Sequence, residues 1–137
     1  MADNNNKIPG YVEYLNPKHR YYIVIALNKD LENNIYDCHF FDDNGDIKDG
    51  YQGFWFDERI FLLMEKYLFN FIDAECGLLI NMYEEEYAEP DILPQILEIT
   101  NRTINNCDNE EVLKLAKEFR SLVEKAIELK AVVGFCF

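Results

Sequence analysis

The sequence predicts an α+β fold, an antiparallel sheet of three to five strands with about three helices packed on it. Three observations lead there. The run Tyr21-Tyr22-Ile23-Val24-Ile25-Ala26-Leu27 has the β-branched and aromatic composition of a well-buried strand. An Asn-Gly pair lies within the acidic turn Asp43-Asn44-Gly45-Asp46, a hairpin signal. From Asp57 onward the apolar residues recur with a helical period.

Residues 1–10, with consecutive asparagines and Pro9-Gly10, have little to bury and read as a disordered N-terminus. A single domain over 11–137 is expected to start near Tyr11, with Asn16-Pro17 breaking the chain before the first strand. Asp30 to Asn34 turns the chain, and Ile35 to Asp42 is expected as the second strand. A two-residue type I′ turn would close it, which needs positive φ at both central residues. Tyr51 to Phe56 makes the third strand of a meander, after a bulge or bend at Asp49-Gly50.

Asp57 suits the N-cap of a helix with Ile60, Met64, Tyr67 and Phe71 on one stripe, Phe61, Leu68 and Ile72 beside it, and Gly77 at its end. Leu78 to Tyr83 reads as a short strand or extended connector. Asp91 is expected to cap the next helix, since Pro94 then falls in the first turn, where its missing N–H costs nothing. Ile92, Ile96, Ile99 and Thr103 form its inner face, and Asn105-Asn106 ends it. Asp108 and Glu111 form an aspartate version of the capping box for a long helix. Its buried stripe is Val112, Leu115, Phe119, Leu122 and Ala126, with Glu110/Lys114 and Lys114/Glu118 pairing on the wet side. Ala131 to Phe137 is expected to finish as an edge strand with Phe135 and Phe137 on one face.

With 137 residues, 49% of them hydrophobic, the chain can bury a core without staples. Cys38, Cys76, Cys107 and Cys136 stand far apart with no zinc-ligand spacing, so reduced, buried thiols are expected. The start MADNNNKIPG lacks the features of a signal peptide, and the longest apolar run is far short of the roughly 20 residues that span a bilayer. A cytoplasmic protein with no membrane partner is the expectation.

The histidines are two, His19 and His39, and His39 stands in Asp37-Cys38-His39. In an expected strand, Cys38 and His39 point to opposite faces, so no local Cys–His nucleophile forms, although Asp37 could orient His39. No phosphate-binding loop, G-x-S-x-G or H-E-x-x-H is present. The turn Asp42-Asp43-Asn44-Gly45-Asp46 begins like a calcium loop, but glycine comes fourth and Gly53 stands where a bidentate carboxylate is required. Neither an enzyme, a cofactor nor a metal site is expected.

The net charge is −13, which argues against nucleic acid or anionic lipid as a partner and favours a cationic one. The excess is local. Asp30 to Glu58 holds nine acids against the single base Lys48, and eight acids with no base lie between Lys66 and Arg102. Tyr83 and Tyr87 bracket Glu84-Glu85-Glu86, a composition common in protein-binding patches. A solvated surface that only keeps the chain soluble would look the same along the sequence.

The segment Tyr83-Glu84-Glu85-Glu86-Tyr87-Ala88-Glu89-Pro90-Asp91-Ile92-Leu93-Pro94-Gln95-Ile96-Leu97, an acidic run leading into a proline-marked helix start, resembles the immunity proteins of bacterial contact-dependent growth inhibition and related polymorphic toxin systems. The resemblance implies a non-enzymatic acidic protein that binds a cognate toxin domain. It covers about a tenth of the chain. Many such toxins are nucleases with basic clefts, which an acidic face would suit by mimicking phosphate. The expected toxin-binding residues are Asp42, Asp43, Asp46, Tyr83, Glu84, Glu85, Glu86, Tyr87, Glu89 and Asp91. The alternative is an adaptor or regulator unrelated to toxins, using the same face or exposed aromatics near Trp55.

Overall fold

The computed structural model describes residues 20–137. The expected disordered start, the onset near Tyr11 and the break at Asn16-Pro17 lie outside the described residues. The fold is α+β. In chain order the elements are β1 (Tyr21–Ala26), a 3-10 turn (Lys29–Leu31), the short α1 (Asn33–Tyr36), β2 (Tyr51–Phe56), a long helix α2, β3 (Glu86–Ala88), a second 3-10 turn (Pro90–Ile92), α3 (Leu93–Asn106), α4 (Glu110–Leu129) and β4 (Val133–Cys136). Helix α2 runs without a break through Glu58–Met64, a π segment Glu65–Phe69 and Asn70–Cys76. The strand order is β2-β1-β4-β3, and each neighbouring pair is antiparallel.

β4 is therefore an interior strand and not the expected edge. All four of its residues are buried, because β1 and β3 flank it and both sheet faces are covered. Phe135 and Phe137 do share a face, with ring centroids 6.2 Å apart. Alternation along the strands feeds two cores. Ile23, Ile25, Phe54, Phe56, Val133 and Phe135 pack against α2, α3 and α4. Tyr22, Val24, Ala26 and Cys136 pack on the opposite face, beneath the excursion of residues 27–50.

That excursion replaces the expected second strand. Ile35 lies in α1, and Ile35 and Phe40 are fully buried against the sheet. Covering an apolar face of the central strands outweighs any pairing that Ile35 to Asp42 could make as an added edge. Only Phe41 and Ile47 pair, in a single bridge. The turn between them has three residues: the Asp42 N–H donates to Asp46 O (2.8 Å) and the Gly45 N–H to Asp42 O (2.9 Å). Gly45, at φ 83°, carries the left-handed position, whereas Asn44 does not. This is the longer hairpin loop with glycine at its end, and not a type I′ turn. The bend expected before β2 is present at Gly50.

In α2, Asp57 caps the start by accepting the Ile60 N–H at 3.0 Å, and Gly77 ends it in the left-handed conformation. The inner stripe differs from the expectation. Phe61, Met64, Leu68, Phe69 and Ile72 are buried, while Phe71 is 49% exposed. The π segment places an additional residue in one turn, which brings Phe69 inward and turns Phe71 out. Leu78 to Tyr83 is a connector with Ile80 buried, and only Asn81 and Glu84 bridge.

The next helix starts before its expected cap. Pro90, with its fixed φ, opens the 3-10 turn after an extended Glu89, so Asp91 lies inside the first turn and does not cap. Its inner face is Leu93, Ile96, Ile99 and Thr100, with the Thr100 hydroxyl donating to Ile96 O at 2.7 Å. For α4 the cap is Asn109, whose side chain accepts the Val112 N–H at 3.1 Å. No box forms on Asp108, because Glu111 instead takes two bonds from Arg59 of α2, at 3.1 and 2.8 Å. The expected stripe of α4 is otherwise buried, with Leu115 partly so. Among the described residues the ion pair along α4 is Lys125–Glu128, 3.6 Å, and not the pairs expected at Lys114. No helix of the described residues is long and apolar enough to cross a membrane.

Candidate protein-binding site

Parts of the two acidic segments, far apart in sequence, meet at one end of the sheet: the turn Asp42 to Asp46, Asp57 with Glu58, and Tyr83 to Glu85, whereas Asp49 and Asp91 follow the strands to the other end. β1 enters at this end with Tyr21 opposite Phe56, and β3 begins here with Glu86 opposite Phe135. The acidic turn is fastened to it from the excursion. The Tyr22 hydroxyl donates to Gly45 O (2.5 Å), and Arg20 Nη1 donates to the same carbonyl (2.7 Å) and to Asp46 (3.3 Å). Within the turn, Asp42 Oδ1 accepts the N–H groups of Asn44 (2.8 Å) and Asp46 (3.0 Å), which fixes its own carboxylate. Burial, followed by the nearby Glu58, Tyr83 and Asp57, raises the pKa of the Tyr21 phenol, so these groups share its surroundings.

The Tyr83–Asp91 residues divide into two sets. Tyr83 is 88% exposed, and Glu84, Glu85 and Asp91 are exposed. Glu86 is otherwise engaged: Oε2 accepts the Leu79 N–H (2.8 Å) and Oε1 the Tyr87 N–H (2.9 Å). The Tyr87 hydroxyl donates to Tyr36 O (2.9 Å), and the Tyr36 hydroxyl donates to Glu89 Oε2 (2.7 Å). Glu86, Tyr87 and Glu89 thus hold the connector and the excursion to the edge of the sheet. The outward-facing set is Asp42, Asp43, Asp46, Tyr83, Glu84, Glu85 and Asp91.

Removing the Glu86 carboxylate leaves two N–H groups without their charged acceptor. Glu86→Ala is expected to lower stability by about 1–3 kcal/mol in urea denaturation, against little change for Glu85→Ala. Tyr36 offers a second check. Burial and then its bond to Glu89 push its pKa from 10.0 up to about 12. The folded state therefore keeps this proton longer than the unfolded chain, so the stabilisation is complete below pH 10.0 and disappears as pH rises through 12. Glu89→Gln is expected to move the Tyr36 titration back toward 10.0, read as the absorbance difference from Tyr36→Phe.

Trp55 stands beside the acidic turn, a juxtaposition that no local pattern announces. It is 46% exposed, and the Arg20 guanidinium that binds Asp46 lies 3.8 Å from its ring centroid. A cation over an indole face orients both groups. Elsewhere, Tyr67, Phe71, Arg102, Thr103, Asn106 and Cys107 line a cavity of about 330 Å³ between α2 and the C-terminal end of α3. Phe71 reaches it because of the π segment, and the Tyr67 carbonyl in that segment accepts the Thr103 hydroxyl at 3.1 Å. Asp37 and His39 are exposed on the excursion and not on a strand, so the face they were expected to share does not exist. A hydrogen bond with Cys38 and burial raise the pKa of Cys136, which disfavours the reactive thiolate.

No family model matches the chain, and neither the curated proteins nor the solved structures yield a match.

Proposed function

We propose that this chain is a binding protein for a basic partner, and that the partner is a cognate bacterial toxin domain of the nuclease type, which it neutralises as an immunity protein. The observation that supports this is the meeting of parts of two separate acidic segments at one end of the sheet, Asp42 to Asp46 beside Trp55 and Asp57 with Glu58 near Tyr83, with both rings exposed. Aromatic anchors ringed by one sign of charge suit a protein surface of the opposite sign. A basic nuclease cleft offers that surface, since it already attracts phosphate.

The test is co-expression with the product of the neighbouring gene. A toxic domain that co-purifies with this chain and loses its activity supports the reading, and a neighbour that is neither toxic nor bound removes it. The charge reversals Asp43→Lys and Glu85→Lys are the sharper probe, because neither carboxylate holds another group among the described residues. Together they are expected to slow association about tenfold at low salt and to leave dissociation nearly unchanged. Binding indifferent to both salt and charge reversal would show that the acids lie outside the interface. An adaptor for a different protein is the second reading, favoured by the exposure of Trp55, and a bound partner with no toxic activity would select it.

A further inference from the structure

The sheet has two outer edges, and they are finished differently. β3 is short, and its outward Tyr87 N–H is occupied by the Glu86 carboxylate, which also holds Leu79. Such capping closes an edge to further pairing. β2 is six residues long, Tyr51-Gln52-Gly53-Phe54-Trp55-Phe56, without lysine or proline. Leu27 N–H donates to Gly50 O, so in this register Gln52, Phe54 and Phe56 face β1 with their backbone groups while Gly53 and Trp55 turn theirs outward. Among the described residues, nothing pairs with the outward N–H and C=O groups of Gly53 and Trp55.

We propose that the β2 edge accepts an extended segment of the partner as an added strand, with lysine or arginine at the segment's ends. This rests on the reading of a basic partner and names how that partner docks. Main-chain bonds to Gly53 and Trp55 supply the affinity, and the flanks supply the selection. Asp49 precedes the strand, Asp57 and Glu58 follow it, and Asp46 sits beside Trp55 through Arg20. A second copy of this chain fits poorly: antiparallel self-pairing centred on Gly53 sets Asp49 of one copy opposite Asp57 of the other, and like charges placed directly opposite destabilise a strand pair.

The experiment follows backbone amide exchange by NMR on the full chain. The probe is a short synthetic peptide of alternating valine and threonine with two lysines at each end. Gly53 and Trp55 amides are expected to exchange fast in the free protein and at least ~tenfold slower with saturating peptide. Phe54, already bonded to β1, is expected to change little. The same peptide N-methylated at alternate residues keeps its charge but cannot form the ladder, and it is expected to lose binding. Equal binding of the methylated peptide overturns strand addition while leaving the attraction of basic chains intact. Equal binding of a glutamate-flanked peptide overturns the selection by charge. Protection that grows with protein concentration alone overturns the proposal in favour of self-pairing, and no protection at millimolar peptide overturns it outright.

Discussion

Phe69→Ala is expected to destabilise the protein by about 3–5 kcal/mol, whereas Phe71→Ala, two residues along the same helix, stays within about 0.5 kcal/mol. Phe69 is fully buried and its ring meets Phe56, Phe61, Phe119, Phe135 and Phe137, so its removal opens a void that five neighbours line. Phe71 lies half in solvent. A plain α-helical stripe through Ile60, Met64 and Tyr67 assigns the opposite ranking. Chemical denaturation of the two variants therefore tests the π segment itself, and equal losses would mean that it does not set the phase of α2.

Deleting residues 131–137 is expected to abolish cooperative unfolding. The deletion takes out β4, whose buried Val133 and Phe135 belong to the larger core and whose Cys136 belongs to the smaller. It also removes the ladder that joins β1 to β3. Together these exceed the ~5–15 kcal/mol by which a domain of this size is stable. Circular dichroism during thermal unfolding is the measurement, and a sharp transition in the truncated chain would contradict the interior position of β4.

The sequence made those elements legible whose signals are local. Tyr21 to Ala26 and Tyr51 to Phe56 are strands because their composition suits a buried ladder, and Asp57 and Gly77 bound α2 through side chain and backbone chemistry that acts within a turn. What was not legible depends on distant partners. Ile35 reads as strand by propensity, yet it packs against Gly134, where an added Cβ would come within 2.6 Å of its methyl group. The end segment reads as an edge because nothing within it says that β3 will close over it. Asn109 took the cap from Asp108 while Glu111 was drawn to Arg59, a residue on another helix.

The candidate site was legible as charge and not as geometry. Composition marked both acidic segments, but not that Glu86 and Glu89 are engaged in holding the chain, nor that Arg20 joins Trp55 to Asp46. These links cross between elements far apart in sequence, and no periodicity encodes them.

The acidic turn belongs to the layer made by residues 27–50, which covers the smaller core and has only short helices and one isolated bridge of its own. A layer tied down by side chains and not by a ladder opens at a lower free energy than the whole molecule. Asp42, Asp43 and Asp46 are thus presented by a layer that opens more readily than the sheet, while Trp55 stands on the sheet itself. A ligand that grips both must hold the layer closed, so its binding energy includes the cost of that closure and its occupancy quiets the motion in return.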